Sequence, residues 1–247
     1  MHRFFLPANE CGGATLTLTG REAHHAAQVL RLRSGEPVAV LDGAGNIFSC
    51  KAQQVSRKAI SLAVREKKWT PPPAAQITLV QAIPKGKIFE SILQKATELG
   101  VTRMVPLLSE RVTTQIDAES SETKVEKWRM TAIEAIKQCG QPWLPKVEEP
   151  ISLQDFLNRE EKFEMPLVAS LHEGSRHPRD YLKKFLEDQK RKPRSACIWV
   201  GPEGDFTPQE MQQIIDRGIF PITLGGLVLR CETAAIYCLS VLNYELS

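Results

Sequence analysis

Two stretches of this 247-residue chain gather the residue types that chemistry needs. They are Trp199-Val200-Gly201-Pro202-Glu203-Gly204-Asp205-Phe206 and Leu224-Gly225-Gly226-Leu227-Val228-Leu229-Arg230-Cys231-Glu232-Thr233-Ala234-Ala235. Each ends an apolar run that reads as a buried parallel strand, Ala196 to Val200 and Ile219 to Leu224, and each leads into a helix. Glycine lets the backbone take positive φ and lets a ligand approach main-chain atoms closely. In an open α/β sheet, ligands bind outside the carboxyl ends of the strands. Two such loops, about 25 residues apart, make a backbone-lined pocket with one cation, Arg230, and two acids, Glu203 and Glu232. Arg230 stands just before a helix whose free N–H groups and positive dipole end suit an anion. A guanidinium there can steady charge developing on a substrate; the alternative is that it pairs with Glu232 or a C-terminal carbonyl. The pattern points to a small-molecule site with charge control, and to an active site.

Other chemistries find little support. Neither loop carries G-x-G-x-x-G, and no G-x-x-x-x-G-K-S/T occurs, which disfavours nicotinamide and nucleotide-hydrolysing enzymes. The six cysteines (Cys11, Cys50, Cys139, Cys197, Cys231, Cys238) form no C-x-x-C pair, so they read as reduced, buried thiols in a cytosolic protein. His24 and His25 are adjacent, point to different faces of a helix and cannot chelate as an i, i+4 pair does, so no metal site is expected. With Arg31 and Arg33 just beyond, they suit RNA phosphates or a plain surface. His172 follows the strand Leu167 to Leu171 and so lies at the edge of the glycine loops, as a pocket wall or a hinge residue.

Charge is uneven. Residues 1–70 carry ten Lys/Arg against five Asp/Glu, and residues 71–247 carry 22 against 24. A small basic module beside a neutral one suits delivery to a polyanion, because phosphate contacts dominate non-specific affinity; solvated surface lysines are the bland alternative. No apolar stretch is long enough to span a bilayer. Met1 to Pro7 has no h-region or small-residue cleavage site, so the chain is expected to carry no secretory signal.

The elements that must position these residues divide at Thr70-Pro71-Pro72-Pro73-Ala74-Ala75, where consecutive prolines favour an extended linker. The expected domains are 1–70 and 74–247. Before the linker, strands are expected over His2 to Leu6, Ala14 to Leu18, Pro37 to Leu41, Ile47 to Gln54 and Ala59 to Val64, with a hairpin turn at Asp42 to Asn46 and one helix from Arg21 to Leu30. That is a small β-barrel. After it, strands (Ile77 to Ile83, Met104 to Leu108, Leu167 to Leu171, and the two above) alternate with helices over Lys87 to Leu99, Thr123 to Cys139, from Pro208, and Glu232 to Glu245. Thr207-Pro208-Gln209-Glu210 is a capping box. The fold class is α/β, a parallel sheet with helices on both faces.

Several segments, in order along nearly the whole chain, resemble the RsmE family of SPOUT-class methyltransferases. They are Arg3-Phe4-Phe5, His24 through Leu32, Gln94-Lys95-Ala96-Thr97-Glu98-Leu99-Gly100-Val101, Ser109-Glu110-Arg111, the helix from Trp128 to Gln138-Cys139-Gly140, and the two glycine loops. Asp205 stands where that family usually has glycine, and Gln141 where it often has arginine.

The resemblance implies a PUA-like β-barrel at the N-terminus and a C-terminal α/β knot, a trefoil that holds a bent cofactor. It implies a cytoplasmic homodimer that methylates uridine N3 in 16S ribosomal RNA of the small subunit, with S-adenosylmethionine as donor and no metal. Carried onto this chain, Arg230, Glu232 and Glu203 are the catalytic candidates. Leu171, His172, Gly201, Glu203, Gly204, Leu224, Gly225, Leu229 and Thr233 are candidates for the donor, and Arg3, His24, His25, Arg31, Arg33, Arg111 and Gln138 for RNA. A SPOUT enzyme acting on another RNA such as tRNA, and a non-catalytic ribosome-binding protein, are the alternatives.

Overall fold

Alternating apolar residues curl the first part of the chain around its own core. The computed structural model describes residues 1–112, 118–171 and 174–247. Strands β1 (His2–Phe5), β2 (Thr15–Thr19), β3 (Pro37–Leu41), β4 (Asn46–Val55) and β5 (Ala59–Trp69) form one sheet in the order β1-β3-β4-β5-β2. β1 and β3 run parallel and the other pairs antiparallel. All five strands send side chains into one cluster, among them Phe4, Leu18, Val40, Phe48 and Leu62. The β3–β4 turn closes because the Asp42 carboxylate accepts the backbone N–H groups of Ala44 and Asn46 at 2.8 and 2.9 Å.

Differences from the sequence expectation have local causes. The helix expected over Arg21 to Leu30 is α-helical only as α1 (Gly20–His24) and continues as a π-helical turn, His25–Val29, in which Leu30 N–H reaches back to His25 O. β5 runs on to Trp69 through Arg65-Glu66-Lys67-Lys68, a charged run with no alternation, because a bulge lets it keep pairing with β4.

The second part is a parallel sheet in the order β12-β10-β11-β6-β7-β8, with β9 also pairing β7. Its strands are β6 (Gln76–Ala82), β7 (Arg103–Leu108), β8 (Lys146–Val147), β9 (Ile151–Ser152), β10 (Met165–Ala169), β11 (Ser195–Val200) and β12 (Phe220–Ile222). Between them lie α2 (Ile88–Glu98), α3 (Ala118–Cys139), α4 (Leu153–Asn158), α5 (Pro178–Gln189), α6 (Pro208–Asp216) and α7 (Cys231–Leu246). Val80, Val105, Val168 and Trp199 pack against α4 and α6 on one face. α7, entered from the edge strand β12, returns to lie on β11, β6 and α2. β10 ends at Ala169 and β12 at Ile222, both two residues short of the expected strands, which frees Ser170, Leu171, Thr223 and Leu224 for loops.

The chain forms two compact units, Met1–Pro72 with Ile133–Leu144, and Pro73–Ala132 with Pro145–Ser247. Residues 133–144, which the pattern of the sequence places in the C-terminal part, cluster with the first unit. Arg3 Nη1 donates there to Lys137 O (3.2 Å) and Gln138 O (2.9 Å), and Lys137 Nζ, buried, reaches Glu22 Oε1 at 2.7 Å.

Candidate active site

Parallel strands put all their carboxyl ends on one edge, so the loops after β10, β11 and β12 meet there. They enclose a cavity of about 590 Å³ with α7's first turn and Ile88 of α2. Cavities of this size hold cofactor-sized ligands.

The β11–α6 loop is anchored at both ends. Trp199, 1% exposed, sits in the sheet before it, and Phe206, also buried, meets the Trp199 ring edge-on at 6.5 Å after it. In between, Asp205 N–H donates to Pro202 O at 2.9 Å, closing a turn with Asp205 in the left-handed region at φ 59°. Asp205 Oδ1 accepts the Phe206 N–H at 2.8 Å. Burial pushes the Asp205 carboxyl up from its ordinary value, against the Phe206 N–H bond and the Arg111 charge, which pull it down. α6 then starts at the expected capping box. Thr207 Oγ1 accepts from Glu210 N (3.2 Å) while Glu210 Oε2 accepts from Thr207 N (2.9 Å). The other oxygen of buried Glu210 accepts the Glu110 N–H at 2.8 Å, tying the loop after β7 to this one.

Arg230 is the N-cap residue of α7, exposed, and its side chain has no hydrogen bond or ion pair among the described residues. The free amides and positive end of a 16-residue helix lie beside it. The acids are partly engaged. Glu203 Oε1 accepts the Lys85 N–H at 3.0 Å, and Glu232 Oε2 accepts the Cys231 thiol at 3.4 Å. Burial first, then that bond to Glu232 and the charges of Glu232 and Glu203, push the Cys231 thiol up to about 12. It is a neutral donor that holds Glu232, not a nucleophile.

Of the residues expected here, Leu171, Gly201, Glu203, Leu224, Gly225, Leu229, Arg230 and Glu232 line the cavity. Gly204 and Thr233 are exposed and are not in its wall. His172 lies outside the described residues. Sequence reasoning missed Asp205, Thr223, Leu227 and Val228, which also line it. The left-handed tolerance of aspartate next to a glycine was the signal available for Asp205. Among the RNA candidates, Arg3, His24, His25, Arg31, Arg33 and Gln138 belong to the first unit and Arg111 to the second. Arg31 is exposed with φ 52° after the π-helical turn. Arg3 is spent on the carbonyl end of α3, and Arg111 Nη1 donates to Gly204 O. No group of three or more His, Cys, Asp or Glu able to hold a metal occurs among the described residues. No helix there is long and apolar enough to cross a membrane.

The chain is similar to known proteins over nearly its whole length. Residues 70–243 match the family described as "RNA methyltransferase domain", and residues 18–64 match "RNA methyltransferase PUA domain". Ribosomal RNA small subunit methyltransferase E of Synechocystis is 34% identical over 93% of this chain and 73% of its own length. The Aquifex aeolicus protein of the same name is 31% identical over 98% and 99%. Among solved structures, a Legionella pneumophila protein with the bound cofactor SAM superposes with a TM-score of 0.89 (32% identity, 98% and 96% coverage). The methyltransferase E of Neisseria gonorrhoeae bound to S-adenosyl methionine superposes at 0.85 (28%, 99% and 97%).

Proposed function

This chain belongs to the RNA methyltransferase family of the ribosomal RNA small subunit methyltransferase E proteins, and from that premise we propose that it methylates uridine N3 in 16S ribosomal RNA with S-adenosylmethionine as donor. The observation that carries the reading is Arg230, the N-cap of α7, whose side chain has no partner among the described residues and which lines a backbone-lined cavity together with Glu203 and Glu232.

The cavity suits the donor. Main chain at Gly201, Leu224, Gly225 and Leu229 offers amide and carbonyl groups for the adenosyl and methionyl parts, with Ile88, Leu171 and Val228 as apolar walls. Glu203 and Glu232 suit a cationic ligand. The donor, when bound, supplies an already activated methyl group, so the chain's work is placement and charge control.

Uracil N3 keeps its proton at neutral pH, and the base must be unpaired or flipped out to present it. Arg230 steadies the negative charge that grows on a uracil oxygen as N3 loses that proton. Glu232, with Oε2 held by the Cys231 thiol and Oε1 unengaged among the described residues, accepts that proton. Glu203, held by Lys85 N–H, braces the glycine loop. The exposed His24, Arg31 and Arg33 of the basic first unit hold RNA phosphates.

The working form is a homodimer with the trefoil knot of its class, and its ribosomal substrate places it in the cytoplasm. Exposed Tyr237 and Tyr244 on α7 and exposed Leu227 and Val228 before it supply apolar area for a second copy to cover.

The test is transfer from labelled S-adenosylmethionine to small subunits lacking their native modification, read by nucleoside mass spectrometry. Label in N3-methyluridine is the expected result. Label in another nucleoside overturns the specificity, and no label from folded protein overturns the activity in favour of a binding protein.

A further inference from the structure

The glycine loop after β11 has an inner side that lines the cavity and an outer side that does not. Pro202, Glu203 and Asp205 contribute to the cavity wall, and Gly204 is absent from it. On the outer side the Gly204 carbonyl accepts Arg111 Nη1, and the Arg111 side chain runs along the glycine so closely that a Cβ there would lie 3.3 Å from Arg111 Cδ. Arg111 is itself held in place. It sits in a turn closed by Val112 N–H to Ser109 O (3.0 Å), and the neighbouring Glu110 N–H is fixed by Glu210 at 2.8 Å.

The loop needs such a hold. Asp205 is a non-glycine residue at φ 59°, a conformation that costs about 1 kcal/mol or more and persists only where its surroundings enforce it. Its carboxylate, already bonded to Phe206 N–H, lies within reach of the Arg111 charge. One guanidinium thus bonds the carbonyl before the strained residue and offsets the carboxylate on it.

We propose that Arg111 is a positioning residue of the donor pocket, which holds residues 203–205 in the shape that lines the cavity. This rests on the donor assignment made above. It differs from a phosphate contact in what it controls: donor affinity in the absence of RNA.

The experiment titrates S-adenosylmethionine into the full-length protein by calorimetry, with wild type, Arg111→Ala and Arg111→Lys, followed by steady-state kinetics. Arg111→Ala is expected to weaken donor binding roughly five-fold, the size of an exposed charge-assisted hydrogen bond. KM for the donor should rise by the same factor while kcat holds. Arg111→Lys keeps the charge but not the planar fork, so it should recover part of the loss. Because lysine preserves the cation and most of the packing, it gives the answer even if alanine unfolds the loop. Unchanged donor affinity in both variants overturns the inference. So does a rise in KM for RNA alone, with the salt slope reduced by about one. Failure of the wild type to bind the donor overturns the functional reading instead, and is distinguishable because no variant is involved.

Discussion

Gly201→Ala should damage both the fold of the second unit and its grip on the donor. Gly201 does not sit in the left-handed region; it is glycine for room. A Cβ there would stand 2.7 Å from Asp205 Oδ1 and 3.2 Å from both Asp205 Cα and Phe206 N. The carboxylate can swing away only by breaking its 2.8 Å bond from Phe206 N–H. The backbone atoms can retreat only by opening the Pro202–Asp205 turn or by lifting Phe206 off Trp199. Overpacking of this kind costs about 1–3 kcal/mol and a lost hydrogen bond about 1 kcal/mol, together about 2–4 kcal/mol. For a chain of this length that lowers Tm by roughly 5–15 °C. Circular dichroism melts and donor calorimetry measure the two effects. Adding Asp205→Gly removes the 2.7 Å contact but leaves the two at 3.2 Å, so the double variant should recover about 1 kcal/mol in a double-mutant cycle. A Gly201→Ala protein that melts and binds donor like wild type would refute the reasoning, as would a pair of substitutions whose effects simply add.

Arg230→Ala should leave the melt and donor affinity near wild type, since the side chain has no partner among the described residues, while kcat falls roughly 100- to 1000-fold. Unchanged turnover would sink its role. Arg3→Ala should cost about 1–2 kcal/mol of stability by freeing the Lys137 and Gln138 carbonyls, with the salt slope of RNA binding unmoved; a slope reduced by about one at unchanged stability would make Arg3 a phosphate contact. Burial alone would raise the Glu148 carboxyl, but hydrogen bonds from Arg159, Lys146 and Arg103 at 2.8–2.9 Å outweigh it and hold it at about 2, against an ordinary 4.5. A folded pKa below the unfolded one contributes stability that is present above about 4.5 and lost as pH falls towards 2. Denaturant midpoints at pH 6 and pH 3 should therefore fall less in Glu148→Gln than in wild type, and equal falls would show that the network plays no part.

Features set by short windows were legible in the chain itself. The Thr207–Glu210 capping box, the Asp42–Asn46 turn, the strand–helix alternation and the two glycine loops each depend on residues within a few positions of one another. The resemblance to a methyltransferase family rests on the same kind of local pattern. The start of α5 carries a local signal of the same kind, with His177 capping the Arg179 N–H and Pro178 in the first turn. The two-residue strands β8 and β9 left no pattern to read, because their partner β7 defines them.

What the tertiary structure decided was how individual side chains are used. Arg3 and Arg111 both read as cations for RNA; packing gave one the carbonyl end of a helix 134 residues away and the other a carbonyl 93 residues away. Residues 133–144 joined the first unit for the same reason, through bonds to Arg3 and Glu22. Glu203 and Glu232 are equivalent as letters, and only the Lys85 amide and the Cys231 thiol tell them apart. Caps, turns and periodicity are settled by neighbours along the chain. The partner of a long, flexible side chain is settled by whatever the fold brings within 3 Å, and that distance is not written in the sequence.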